Sequence, residues 1–311
     1  MAFANASGTR LAYVTETTEG TTPTSPTFTS LRYTSESLVR AKESTQSEEI
    51  NQHRNVPDLT PVGRMASGNI QGELSYGTYD TLFESLLCGT WATNVLKNGV
   101  TRKSFTFEKT FEQGGTDSFI RYTGCLINTL ELSVTAKEKC TLNFGIMGRG
   151  GSSGSAILSG ATYTAANTNP VLNASSHVGS LSITGVSPSP RIKSLSLSIS
   201  NNLREQPEVG SLDLAGVGLG QFVVTGRMEA YFESIALYDA IHDDDELAIA
   251  FTVGAASGSQ YTFTLPKVKL MGGEPQAGGN NQDVMLPIDF QAIYDTGSSF
   301  NASMSIRRAV S

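Results

Sequence analysis

The strongest constraint on this chain is a change of periodicity that occurs twice. "GELSYGTYDTLFESLL" (Gly72–Leu87) and "GRMEAYFESIALYDAI" (Gly226–Ile241) both open on alternating residues and then shift to helical spacing. Period two lays one face of a strand on a core, and an i, i+3, i+4 stripe does the same for a helix. Around the first stretch Ile70, Gly72, Leu74 and Tyr76 share a strand face; Val224, Gly226, Met228 and Ala230 repeat that set. A glycine within a strand marks a bulge or a close backbone approach.

The helical stripes are Leu82, Phe83, Leu86 and Leu87 in the first stretch, answered by Ala236, Leu237, Ala240 and Ile241. Asp80 and Ser234 precede them as N-cap residues, and Gly89 follows the first as a helix stop. Helices this short are unstable alone. Leu82, Phe83, Leu86, Leu87, Leu237 and Ile241 are therefore expected to pack each helix onto a sheet.

The agreement continues downstream. "SFTFEKTF" and "ELAIAFTV" each set apolar residues on one strand face, and "GTWATNVLKNGVTRK" holds the extra residues of the first half. Two further strands close each half, with Leu142, Phe144 and Ile146 matching Leu286, Ile288 and Phe290. Strand, loop, strand, helix and three strands thus occur in the same order twice. The expected fold is mainly β (α+β), with two tandem domains. Residues 1–150 form the first, a Gly/Ser/Thr/Asn-rich linker covers 151–180, and 181–311 form the second. Each half also carries a long polar loop before its helix, at 42–68 and 201–220. Long loops of this kind are usually functional. Glu48, Glu49, Arg54, Asp58 and Arg64 in the first, and Arg204, Glu205 and Asp213 in the second, carry both signs of charge, which suits docking between subunits.

The chemistry is sparse. The net charge of −7 works against gripping nucleic-acid phosphate. Cys88, Cys125 and Cys140 are odd in number and confined to the first half, so they read as buried structural thiols. The glycine-rich runs lack the Lys-Ser/Thr of a phosphate loop. "HDDDE" (His242–Glu246) is oxygen-rich but lacks calcium-loop spacing, and it reads as a solvated helix end. We expect no catalytic residues, no metal and no cofactor. There is no 18-residue apolar run and no charged start with an apolar stretch at the N-terminus, so neither membrane span nor secretory signal is expected.

"SGNIQGELSYGTYDTLFESLLCGTW", "SFTFEKTF", "NNLREQPEVGSLDLAGVGLG", "YFESIALYD" and "YTFTLPKVKL…AGGNNQDVMLPIDFQA" resemble the tail tube proteins of long-tailed, siphovirus-type bacteriophages. The resemblance covers most of the chain apart from the N-terminal arm and the linker. It implies two tandem tail-tube β-sandwich or β-barrel domains, each flanked by one short helix, in a non-enzymatic virion protein. Three such chains would form a pseudo-sixfold homotrimeric ring. Stacked rings would make a conduit with the tape measure protein and then viral DNA in the lumen, joined to terminator and tail tip or baseplate proteins. Assembly would take place in the host cytoplasm. The acidic balance would then make a channel wall that repels DNA. The alternative within the same fold is a single-ring terminator, completion or baseplate hub protein. An adhesive β-sandwich and a metal enzyme built on "HDDDE" are the readings outside it.

Overall fold

The computed structural model describes residues 3–178, 181–187, 189–255, 258–296 and 300–309. Its first half contains β1 (Thr9–Thr15), β2 (Thr27–Ser30), β3 (Ser35–Glu36), β4 (Val39–Gln46), β5 (Leu59–Glu73), α1 (Asp80–Leu86), β6 (Val95–Lys97), β7 (Phe105–Phe111), β8 (Ser118–Thr135) and β9 (Thr141–Gly148). Then come β10 (Gly150–Gly154), β11 (Thr162–Thr164) and β12 (Ser182–Ile183). The second half contains β13 (Ile192–Ser200), β14 (Arg204–Gln206), β15 (Gly216–Gly218), β16 (Val223–Tyr231), α2 (Ala236–His242), β17 (Leu247–Ala255), β18 (Ser259–Gly272), β19 (Met285–Ala292) and β20 (Ser305–Arg308).

The pairing order is the same in both halves. In the first, β4 pairs with β5, β5 with β9, β9 with β8 and β8 with β7, all antiparallel. In the second, β13 pairs with β16, β16 with β19, β19 with β18 and β18 with β17. The breaks in register recur as well. Phe105 faces Cys125 and Phe107 faces Tyr122, with a bulge between; Leu247 faces Val268 and Ile249 faces Leu265, again with a bulge. A second bulge separates Ile127 from Thr129 on β8, and Leu270 from Gly272 on β18. Bulges bend a strand and raise its twist. They let β8 and β18 each pass from one sheet into another.

Register corrects one sequence equivalence. Gly68 faces Ile146, and Gly226 faces Phe290, so Gly68 rather than Gly72 is the counterpart of Gly226. Gly72 faces Leu142 and corresponds to Ala230, which faces Leu286. The slip is an even number of positions. It leaves every apolar residue on its own face, so alternation could not reveal it. Gly72 is required for another reason: a Cβ there would lie 2.1 Å from the Tyr79 hydroxyl oxygen.

The two halves share one core and one sheet. β8 residues Thr129–Thr135 pair antiparallel with β13 residues Ser200–Ser194, joining the halves edge to edge. Leu130, Leu132, Phe144, Leu197, Ile199, Ile288 and Phe290 belong to one buried cluster. Leu82, Phe83, Leu86 and Leu87 are buried in that cluster, as is Leu237, while Ile241 is half-buried against it. Phe83 meets Phe144 of its own half and Tyr261 and Phe263 of the other, at ring centroid distances of 6.0, 5.8 and 6.5 Å.

The helix ends differ from expectation. Tyr79 and Ile235 occupy the N-cap positions, without side-chain caps. Asp80 instead accepts hydrogen bonds from the Tyr261 hydroxyl and from Arg308, at 2.6 Å for the latter. Burial, with Asp80 alongside, pushes the Tyr261 hydroxyl well above its usual range. At the other end of α1 the Cys88 N–H donates to Ser85 and the Gly89 N–H to Glu84, with Cys88 in the left-handed conformation at φ 46°. This is the Schellman arrangement, in which the residue before the glycine makes the turn. Gly89 is needed for space, since a Cβ would come within 2.3 Å of the Lys97 carbonyl oxygen. Asn201, from the second half, closes this helix end by donating to the carbonyls of Leu86 and Ile127 at 2.7 and 2.9 Å.

The expected linker is tied mostly to the first half, with its end at His177 and Val178 bonded to β17 of the second; residues 179 and 180 lie outside the described residues. β10 pairs with β8 and β11 with β2, and Leu172 is buried. The stretch between α1 and β7 contains β6, which pairs with β20; β20 in turn pairs with β18. The C-terminal strand therefore bridges the halves, while residues 298, 299, 310 and 311 of that arm lie outside the described residues. With ladder, core and C-terminal strand shared, thermal or denaturant unfolding is expected in one cooperative transition. Phe83→Ala should destabilise that transition by about 3–5 kcal/mol, as truncation of a fully buried aromatic does. Two separate transitions in calorimetry would contradict this.

Candidate assembly surfaces

The strands β4, β5, β9 and β8, then β13, β16, β19 and β18, form one continuous run. Alternation gives it two faces. Ile70, Leu142, Phe144, Leu130, Leu132, Leu195, Leu197, Met228, Ile288 and Phe290 point into the core. Along the middle of the run the opposite face carries Asn69, Gln71, Asn143, Thr129, Glu131, Ser133, Ser194, Ser196, Ser198, Arg227, Asp289 and Gln291, half-buried or exposed. Three acids on or beside this face are paired with bases: Lys193–Glu229 at 3.2 Å, Arg227–Asp289 at 3.7 Å and Lys139–Glu73 at 2.6 Å. Exposed pairs of this sort contribute little to stability. Their effect is to leave the polar face nearly neutral.

The ends of the run are strand edges. Among the described residues no strand pairs with the outer edge of β4, and none lies beside the end of β18, past Val268, on the side β17 occupies. Gln276 and Met285 exchange backbone hydrogen bonds of 2.7 and 3.1 Å, extending the β18–β19 ladder past Gly272. β4 is charged and exposed, with Arg40, Lys42 and Glu43 along it. Charge is one way in which proteins protect an edge from indiscriminate pairing.

The two regions read as loops are mostly hairpin arms. Residues 42–68 are the β4–β5 hairpin with its tip at 47–58, and 201–220 include the β14–β15 hairpin. Glu48, Glu49, Arg54 and Asp58 lie exposed at the first tip, and Arg204 and Glu205 lie exposed on β14. Arg64 and Asp213 meet within the chain: they form a parallel bridge, and the Arg64 N–H donates to the Leu212 carbonyl at 2.7 Å. The second arm thus lies beside the first, separated by a groove whose walls include Glu43, Val62 and Arg64 on one side and Glu205, Pro207 and Leu212 on the other. It also bends over the first half. Leu203, Leu214 and Val217 form a small buried cluster with Leu126, against Met65 and Met147. Sequence reading missed these arm residues because their apolar positions are too few and too widely spaced to show a period.

Among the described residues, no group of three or more His, Cys, Asp or Glu is placed to hold a metal ion. His242 lies against the Tyr238 ring at 4.5 Å, and Asp244 and Glu246 pair with Lys269 and Lys267 at 2.9 and 2.6 Å. Among the described residues, no helix is long and apolar enough to cross a membrane. All three cysteines are free and buried. Burial raises each thiol, Cys140 to about 11 and Cys125 well above its ordinary value. A thiolate is the reactive form. At pH 8 an aromatic disulfide reagent should therefore label no cysteine in the native protein and all three once it is unfolded; rapid native labelling would refute their structural assignment.

No curated protein matches the chain. The family described as Phage tail tube protein matches residues 6–292, nearly the whole chain. A mainly β chain with continuous sheets and two short helices agrees with that match. The chain belongs to the phage tail tube protein family, whose members are structural components of the virion tail.

Proposed function

We propose that this protein is two tandem tube units in one chain, and that three chains close into a ring of six units. The observation that carries this is the β8–β13 ladder, which already joins the two halves edge to edge. The counterpart of β13 in the first half is the β3–β4 strand, and the counterpart of β8 is β18 with its extension to Gln276. Among the described residues no strand pairs with either edge, and they lie at opposite ends of the run; within the first, the Leu38 N–H is held by Glu36 and its carbonyl by Lys109 and Tyr122. Repeating the β8–β13 contact between chains pairs residues 37–41 of one chain with 276–272 of the next, antiparallel. The contact is heterologous, so it closes into a ring or grows without limit. Four strands from each of six units give a barrel of roughly 24 strands with no free edge.

The polar face then lines the channel. Its serines, threonines and amides, and its acids, of which Glu73, Glu229 and Asp289 are paired with bases, offer passing phosphate neither a cationic trap nor a strong barrier. This refines the expectation of a repelling acidic wall, because the excess negative charge of the chain lies largely off this face. The arms point the ring toward its neighbour along the axis. Ile50 and Val209 sit at corresponding tips and are fully exposed. Glu48, Glu49, Arg54 and Asp58, with Arg204 and Glu205, surround them with both charge signs. Apolar tips on both arms favour a stacked tube over a single terminator, completion or hub ring. In the virion the tube would hold the tape measure protein and later conduct DNA, between the terminator and the tail tip.

Electron microscopy of the concentrated protein is expected to show hollow tubes with an axial repeat, and end views with three copies of a two-lobed subunit. The edge contact has its own test. Ser37 bonds through its N–H to Asn69 of β5, so ladder alternation aims the Arg40 N–H outward. Arg40→Pro removes an outward donor on an edge, where proline is tolerated. The variant should stay folded by circular dichroism and fail to form rings; normal tubes would exclude this edge from the interface.

A further inference from the structure

The second arm shows how an arm is held, and the first arm carries the same apolar positions with nothing to hold them. In the register that relates the halves, Arg204 faces Gly218 where Thr45 faces Thr60. The same register sets Leu214 against Val56 and Val217 against Leu59. Leu214 and Val217 are 8% and 0% exposed, because they sit on the sheet of the first half; Val56 and Leu59 are 58% and 59% exposed. Asn201, which closes the C-terminal end of α1, corresponds to Lys42, which is exposed. The feature that matches the α1 end is the end of α2, and there the chain runs through exposed Asp243, Asp244 and Asp245.

We propose that the first arm docks on the second half of an adjacent copy of this chain, within the same ring, as the second arm docks on the first half of its own chain. Lys42 meets the α2 C-terminal end and its aspartates. Val56 and Leu59 cover the neighbour's sheet where Lys269, Gln291 and Val223 take the places of Leu126, Met147 and Met65. The occupant is a second copy for three reasons. The contact already exists once inside the chain. The arm continues directly from the open β4 edge. The charges are complementary, Lys42 meeting the carbonyl end of a helix followed by Asp243 and Asp245, while Asp244 is paired with Lys269 of its own chain. Every arm would then lean on the next unit, forming a six-membered collar above the barrel. Val56 and Leu59 would be buried in the ring, whereas Ile50 would stay free at the tip, as Val209 does.

The inference rests on the ring proposed above, so its test separates the two. The first variant carries Leu59→Cys with Lys269→Cys, a pair that follows the approach of β15 to β8. The native cysteines are buried and cannot compete. Mild oxidation of assembled protein should give covalent dimers and trimers on non-reducing gels, with neither single cysteine variant doing so. The second test is a charge swap. Lys42→Glu should raise the protein concentration needed for ring formation about tenfold, which corresponds to about 1.4 kcal/mol. Adding Asp243→Lys and Asp245→Lys should restore it, which a merely misfolded arm would not allow. Rings that assemble without the crosslink, or a Lys42→Glu variant that assembles normally, overturn the arm contact and leave the ring standing. Wild-type protein that forms no rings at all overturns the ring and the arm contact together.

Discussion

The rest of the structure depends on one backbone ladder, the pairing of Thr129–Thr135 with Ser200–Ser194. It converts two sheets into one and places Leu130 and Leu132 of β8 beside Leu195, Leu197 and Ile199 of β13 in a shared core. A central strand is satisfied on both sides, and an edge strand is not. By using up one edge of each half internally, the ladder leaves one open edge on each half, of complementary kind, at the two ends of the run. A structural subunit that must join its neighbours repeatedly needs such a pair of ends.

Two long strands make this geometry possible. β8 runs for 18 residues and β18 for 14, and both carry a bulge where they leave one sheet for another. Before the bulge each strand belongs to the side of the sandwich built with β7 or β17; beyond it each joins the long run. α1 and α2 pack on β8 and β18 respectively. Around this frame, polar locks connect the halves: Asp80 with Tyr261 and Arg308, and Asn201 with the end of α1. Buried polar groups of this type are costly unless fully partnered. These are partnered across the boundary between halves, so neither half keeps its polar groups satisfied without the other.

Much of the architecture was legible in the residues. Alternation located the core faces of the strands, and Phe83, Leu86 and Leu237 announced which side of each helix is buried. The order of elements in the two halves could be read by eye. Other features gave no signal. The match of Gly226 to Gly68, in place of Gly72, was hidden because an even slip preserves the pattern. The arms looked like loops because strands polar on both faces have no alternation to read. Asp80 looked like a cap because a carboxylate ahead of a helical stripe usually is one, yet it serves a tyrosine and an arginine more than 180 residues further along the chain.

What the sequence by itself determined was local: which residues seek burial, with what period, and in what order. Tertiary structure alone decided which strand lies beside which, where each ladder breaks, and which edges stay open. The physical reason is that side-chain periodicity reports only the face a residue turns to the core. Neighbouring strands are joined by backbone N–H and C=O groups that are the same in nearly every residue, so the identity of the neighbour is not written in any one segment. It emerges when bulges, glycine clearances and buried polar partners, distributed over the whole chain, are satisfied at once.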